Sequence, residues 1–229
     1  MIETVEQLRA LYAHPTERAL HKQLPALDVH TQRFIALSPF CVLSTAGSAG
    51  LAGSAGENIG DGACVASGGA LMDASPRGGA PGFVKSPDLH TLLIPDSGGN
   101  NRLDTFTNLL EDPRMGVLFL IPGVDETLRV NGTARLRDEA VFTDFFAGER
   151  QRPKLVIEVR VAEVYLHCSK ALMRARLWAA DAQVDRSVLP TLNEMIHAQM
   201  GLAAIPESQL AMLQRYRAQL AQEMQLGDA

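Results

Sequence analysis

Aromatic residues are scarce in this chain of 229 residues: they make up 5%, with a single tryptophan. Cysteines are few as well. Cys41, Cys64 and Cys168 are odd in number, far apart and free of any CxxC or metal-ligand spacing. That excludes a disulfide framework and a zinc ribbon, and fits reduced thiols in a cytoplasmic protein. No apolar run approaches the roughly 20 residues that a bilayer requires. The first residues, MIETVEQLRALYAHP, carry acids and no apolar stretch, so no secretory signal is expected. Positive charge is not in excess either. The formal net charge is −5, without a basic stripe, so neither nucleic acid nor a membrane is expected as a partner. Neither GxGxxG nor GxxxxGK[ST] occurs, which removes a dinucleotide fold and a P-loop from consideration.

Glycine, by contrast, is concentrated. Eleven of the nineteen glycines fall between Gly47 and Gly82. Local propensity cannot order such a stretch. Gly47, Gly50, Gly53 and Gly56 recur every third residue, but four glycines without proline do not make collagen. The expectation is a flexible surface insertion over residues 46–71, dispensable for folding, because lengthening a loop costs only about 0.6 kcal/mol per doubling.

The remaining pattern is strand-rich in the middle and helical at both ends. Residues 2–12, 20–24 and a run from Val29 to Ser38, capped by Asp28 and stopped by Pro39, read as helices. Phe40–Thr45, Thr91–Pro95, Arg114–Ile121, Glu126–Arg137 and Lys154–Cys168 read as strands. The apolar run at 114–121 suggests burial on both faces. In 126–137, Leu128, Val130, Gly132, Ala134 and Leu136 share one face, which marks a half-buried antiparallel strand. Helices are expected at 102–111, with Leu103, Phe106, Leu109 and Leu110 as the buried stripe, at 139–149, at 169–178 and twice in the tail. Turns or single helices join the strands, so the fold class is α+β around an antiparallel barrel. Three parts follow: an N-terminal helical extension (1–27), a barrel domain (28–180) and a C-terminal helical extension (181–229).

One segment carries chemistry. PDSGGNNRLDTFTNLLEDPR places Asn100, Asn101 and Arg102 at an expected helix start. A helix start offers free N–H groups and partial positive charge to an anion, and Arg102 can present two donors to phosphate oxygens. The alternative is that an asparagine merely caps the helix and Arg102 is solvated.

DASPRGG, the block IPDSGGNNRLDTFTNLLEDPRMGVLFLIPGVDETLRVNGTARL, and VYLHCSKALMRARLW resemble the FMN-binding split-barrel proteins related to pyridoxamine 5′-phosphate oxidase, in the flavin-nucleotide-binding branch. The resemblance runs from about Asp28 to Trp178 apart from the glycine-rich insertion. It implies an antiparallel split β-barrel and a homodimer holding two FMN molecules between its subunits, with the FMN phosphate as the anion at Asn100, Asn101 and Arg102. It sets Ser75, Pro76, Arg77 and Gly78 beside the isoalloxazine ring and brings Asn108 into consideration as a further contact. It also implies that Lys170, Arg174 and Trp178, at i, i+4 and i+8 on one helix face, close over a partner's cofactor. His167 is expected to be structural. Two departures stand out: the connection before DxSPRG is about twenty residues longer than a hairpin, and Ala175 replaces a small polar residue.

The leading expectation is an FMN-dependent oxidoreductase with an unidentified substrate. A flavin-sequestering module without turnover, or a split barrel that holds haem or a deazaflavin, are the alternatives. No obvious proton donor stands out among the His, Cys and Asp residues.

Overall fold

The computed structural model describes residues 1–47, 71–149 and 152–225. The glycine-rich insertion therefore lies outside the described residues except at its two ends. Three helices open the chain: α1 (Val5–Leu11), α2 (Glu17–His21) and α3 (Val29–Leu37). Asp28 caps α3 by accepting the Thr31 N–H at 2.8 Å, while the Thr31 hydroxyl accepts the Asp28 N–H. This satisfies two backbone donors that a helix start leaves free.

Seven strands follow: β1 (Phe40–Ala46), β2 (Met72–Gly78), β3 (Lys85–Asp88), β4 (Thr91–Pro95), β5 (Arg114–Leu120), β6 (Thr127–Arg137) and β7 (Val156–His167). Every pairing is antiparallel, in the order β2-β1-β5-β6-β7-β4-β3. Helix α4 (Asp104–Glu111) joins β4 to β5 and packs on β1, β2 and β6. One core takes Cys41 and Leu43 from β1, Leu92 and Ile94 from β4, Val117 and Phe119 from β5, Leu128 and Val130 from β6, and Val159 from β7. Strands from both halves of the sheet order thus face a single interior, and the sheet curls into a split barrel. The fold is α+β, as expected from strands joined by turns or single helices.

Several local expectations are corrected. Strand β5 buries Met115, Val117 and Phe119, while Gly116, Leu118 and Leu120 on its outer face are only half-buried, so it is not covered on both sides. Helix α4 begins at Asp104, two residues later than expected. Leu103 precedes it with φ 61° and is exposed, as is Leu110, so the buried stripe reduces to Leu109, with Phe106 half-buried. The stretch 139–149 shortens to α5 (Ala140–Thr143) and one 3₁₀ turn, Asp144–Phe146. Helix α6 (Lys170–Ala175) stops where Arg176 turns left-handed at φ 50°. Ser169 precedes α6 without a side-chain cap. The tail carries α7 (Leu192–Met200) and α8 (Gln209–Gln225). Among the described residues, no helix is long and apolar enough to cross a membrane, and no cluster of His, Cys, Asp and Glu could hold a metal ion.

Candidate functional site

The split in the barrel is where a cavity opens. Directly opposed residues of an antiparallel pair share a face. Ser75 lies opposite Leu43 and Arg77 opposite Cys41, and both β1 partners are fully buried. Ser75 and Arg77 thus extend the inner face of the sheet past β1, to its edge. The loop from β4 into α4 lies across from them. Between the two is a cavity of about 660 Å³.

Ser75, Pro76, Arg77 and Gly78 line one side of this cavity, and Asn100, Asn101 and Arg102 line another. Phe83, Phe106 and Phe146 supply apolar wall. Two segments about 25 residues apart in the chain, both singled out by sequence, are therefore brought together.

The rim of α4 is unusually open. Its N-cap position, Leu103, makes no side-chain cap. Asn101 and Leu103 both have positive φ, 60° and 61°. An asparagine tolerates that region, but for leucine it costs about 1–2 kcal/mol. The first intrahelical bond is Thr107 N–H to Leu103 carbonyl at 2.9 Å. The N–H groups of Asp104, Thr105 and Phe106, three cavity-lining residues, have no partner among the described residues. Asn100 shapes this loop instead of capping the helix: its Oδ1 accepts the Arg102 N–H at 3.1 Å. The Arg102 guanidinium donates to Asp104 Oδ2 at 2.8 Å, with both side chains largely in solvent. That contact raises the arginine pKa.

The floor is a small polar network. Ser75 donates its hydroxyl to Asp73 Oδ2 at 2.9 Å, and Arg77 donates to the buried Thr105 hydroxyl at 3.3 Å. Asp96, at the exit of β4, is fixed through its backbone N–H to the Leu155 carbonyl at 2.8 Å. Burial raises its carboxyl above the ordinary carboxylate range, against the opposing pull of the Ser97 N–H and the charges of Arg77 and Lys154. Sequence reading missed Asp96, Thr105 and Lys154. The only signal was that Asp96 ends a strand and opens the loop to Asn100.

Other expected residues lie elsewhere. Asn108 is buried on α4 and donates its amide to the Thr45 hydroxyl at 2.9 Å, tying the helix to β1. It does not line the cavity. Nor do Lys170, Arg174 and Trp178. Since α6 ends at Ala175, the i, i+4, i+8 face is broken before Trp178, whose indole N–H donates to the Val124 carbonyl at 3.0 Å. Lys154, before β7, lines the cavity, while α6 follows the far end of that twelve-residue strand. A strand of that length spans about 40 Å. His167 sits edge-on to Tyr165, ring centroids 4.9 Å apart, and burial together with Arg129 and Lys22 lowers its pKa.

Among solved structures, HupZ from Group A Streptococcus is similar with a TM-score of 0.43 and 14% identity, over 61% of this chain and 93% of that one. A candidate pyridoxamine 5′-phosphate oxidase from Lactobacillus delbrueckii gives 0.42 and 14%, over 63% and 98%. A NimC/NimA family protein from Clostridium acetobutylicum gives 0.34 and 12%, over 59% and 81%. No curated protein matches the chain. A family model described as pyridoxamine 5′-phosphate oxidase matches residues 27–168, more than half of the chain and the whole of the barrel. The chain belongs to the pyridoxamine 5′-phosphate oxidase family.

Proposed function

We propose that the cavity binds FMN and that the protein is an FMN-dependent oxidoreductase acting as a cytoplasmic homodimer. The observation that carries this reading is the start of α4, which has no side-chain cap and whose first three N–H groups, without a partner among the described residues, lie on cavity-lining residues beside Arg102. Such a terminus suits the dianionic phosphate. The residues fit the rest of the cofactor as well. A cavity of about 660 Å³ falls in the usual range for cofactor-sized ligands. The Arg77 side, with Ser75, offers donors and a cation to the ring, where positive charge near N1–O2 favours the reduced, anionic flavin. Bound FMN would supply the hydride or electron chemistry. The chain's own part is to anchor the phosphate, orient the ring and offer Asp96 as the titratable group beside it.

The position of α6 supports a dimer. Lys170 and Arg174 are exposed, follow the far end of β7 from Lys154 and do not line their own chain's cavity, which leaves them available to a cofactor held by a second copy. The haem alternative is less well served. Among the described residues the cavity lining holds no His, Cys, Met or Tyr, the usual axial ligands.

The test is a visible absorption spectrum of the purified protein, then titration of the apo-protein with FMN and riboflavin, followed by anaerobic reduction with NADH or NADPH. Paired flavin bands and tighter binding of FMN than riboflavin are expected. A Soret band, or no preference for the phosphorylated ligand, would remove this reading. Flavin that binds but cannot be reduced would leave a sequestering module.

A further inference from the structure

Four helices in the described residues bury no side chain: α1, α2, α6 and α7. Helices this short are marginal in water without packing. The capping box on α1, where Thr4 and Gln7 bond reciprocally, contributes only about 1 kcal/mol. Their helical state therefore calls for apolar cover from another surface.

The sequence of these segments agrees. Seven exposed large hydrophobics lie in residues 1–26 and fourteen in 169–220, against ten in the rest of the described chain. Val5, Leu8 and Leu11 are exposed on α1. Leu210, Leu213, Tyr216 and Leu220 lie along one side of α8 and are exposed, and Met212, at the border of that side and one turn from Tyr216, is buried. The chain as a whole exposes 15,853 Å², where a compact monomer of 24.7 kDa would expose about 10,000 Å². Even if about 4,000 Å² is set aside as an upper bound for the residues outside the described set, an excess of about 1,900 Å² remains, within the range that one subunit gives up in an obligate interface.

The same chain has a surface that lacks cover. On the outer face of the sheet, Phe40 is exposed, and Val42, Leu118 and Leu120 are half-buried. Apolar arms and an apolar sheet face on one chain are self-complementary, and a two-fold dimer satisfies both at once. A net charge of −5 gives no attraction to nucleic acid or to an anionic lipid surface.

We propose that the terminal helices, α1 and α2 at one end and α7 and α8 at the other, are arms that clasp a second copy of this chain. This rests on the homodimer reading above and assigns that dimer's grip to segments outside the family match. It also ties the grip to the cavity. Glu223 of α8 lines the cavity of its own chain, near enough that a side chain at Gly98 would meet its carboxylate at 3.1 Å, so the arm that grips a second copy also forms one wall of the ligand site on its own chain.

The experiment uses the full chain. Sedimentation is compared for the native protein, Leu8→Glu/Leu11→Glu and Leu213→Glu/Leu220→Glu, and amide hydrogen exchange of residues 5–11 and 209–223 is followed above and below the dimer's dissociation constant. Each double variant is expected to weaken dimerisation by about 100-fold or more. Arm amides should be protected in the dimer and lose protection on dilution to monomer. A dimer whose arm amides exchange freely, or variants that dimerise as the native protein does, would overturn the clasp while leaving the homodimer in place. A monomer with protected arms would overturn both. If a variant fails to fold, the exchange data on the native chain decide.

Discussion

Among the described residues the Arg102 side chain has one partner, Asp104, and both are exposed, so their pairing adds little stability and leaves the guanidinium able to turn towards a phosphate. Arg102→Ala should weaken FMN by roughly 10- to 150-fold, the worth of charge-assisted bonds of about 1.5–3 kcal/mol, and weaken riboflavin much less. Arg102→Lys should recover only part, since an ammonium lacks the paired donor geometry. Arg77→Ala should weaken both ligands alike and shift the flavin potential. Fluorescence titration of the apo-protein reads the affinities, and equal losses for both ligands in Arg102→Ala would take Arg102 off the phosphate. Asp96 gives a prediction on stability. Its folded pKa is raised, so the folded state holds the proton more tightly than the unfolded one. Its stabilising contribution is full below the ordinary carboxylate pKa and is lost as pH rises through the folded value. Asp96→Asn should therefore raise the melting temperature at pH 7, with the gain shrinking in acid; thermal melts at pH 7 and pH 4 test this. At this scale the sequence showed what was contiguous. The Ser75–Gly78 and Asn100–Arg102 runs are visible as strings. Asp96, Thr105 and Lys154 become neighbours only when the barrel closes, and no local period announces that. Asn108 illustrates the reverse: a plausible position two turns into a helix, drawn inward by the Thr45 hydroxyl.

Elements were legible where burial imposes a period. Strand β6 alternates through Leu128, Val130, Gly132 and Ala134 because one face meets the core. The ends of elements were less legible. Helix α4 starts late because Asn101 and Leu103 take left-handed conformations, which no propensity scale assigns to leucine. Helix α6 stops early for the same reason at Arg176. Gly132 marks a different local demand. The β6–β7 register shifts between Asn131 and Gly132, and a Cβ on Gly132 would collide with the backbone carbonyl of Arg160. Backbone cannot step aside as a flexible side chain can. Gly132→Ala should cost at least about 1–3 kcal/mol, read as a fall of several degrees in thermal unfolding. An unchanged melting temperature would mean the two strands separate freely at the bulge.

For the whole molecule, the fold class could be read from strands gathered in the middle of the chain, joined by turns and single helices. Which strands flank the split could not, since that depends on how a seven-stranded sheet curls. Sedimentation at micromolar concentration should give a species near twice the 24.7 kDa chain mass; a lone species at the chain mass would remove the shared cofactor cleft. The connection between β1 and β2 has its own consequence. Seven residue pairs join these strands, from Phe40 with Gly78 to Ala46 with Met72, and beyond them the Gly47 N–H donates to the Leu71 carbonyl at 2.8 Å. The two described ends of that connection, Gly47 and Leu71, are thus held side by side. A chain nicked by protease anywhere between those residues should stay a single particle in native solvent and part into two fragments only in denaturant. The same point would accept a spliced foreign domain whose own ends lie close together, so that the barrel could carry a reporter there.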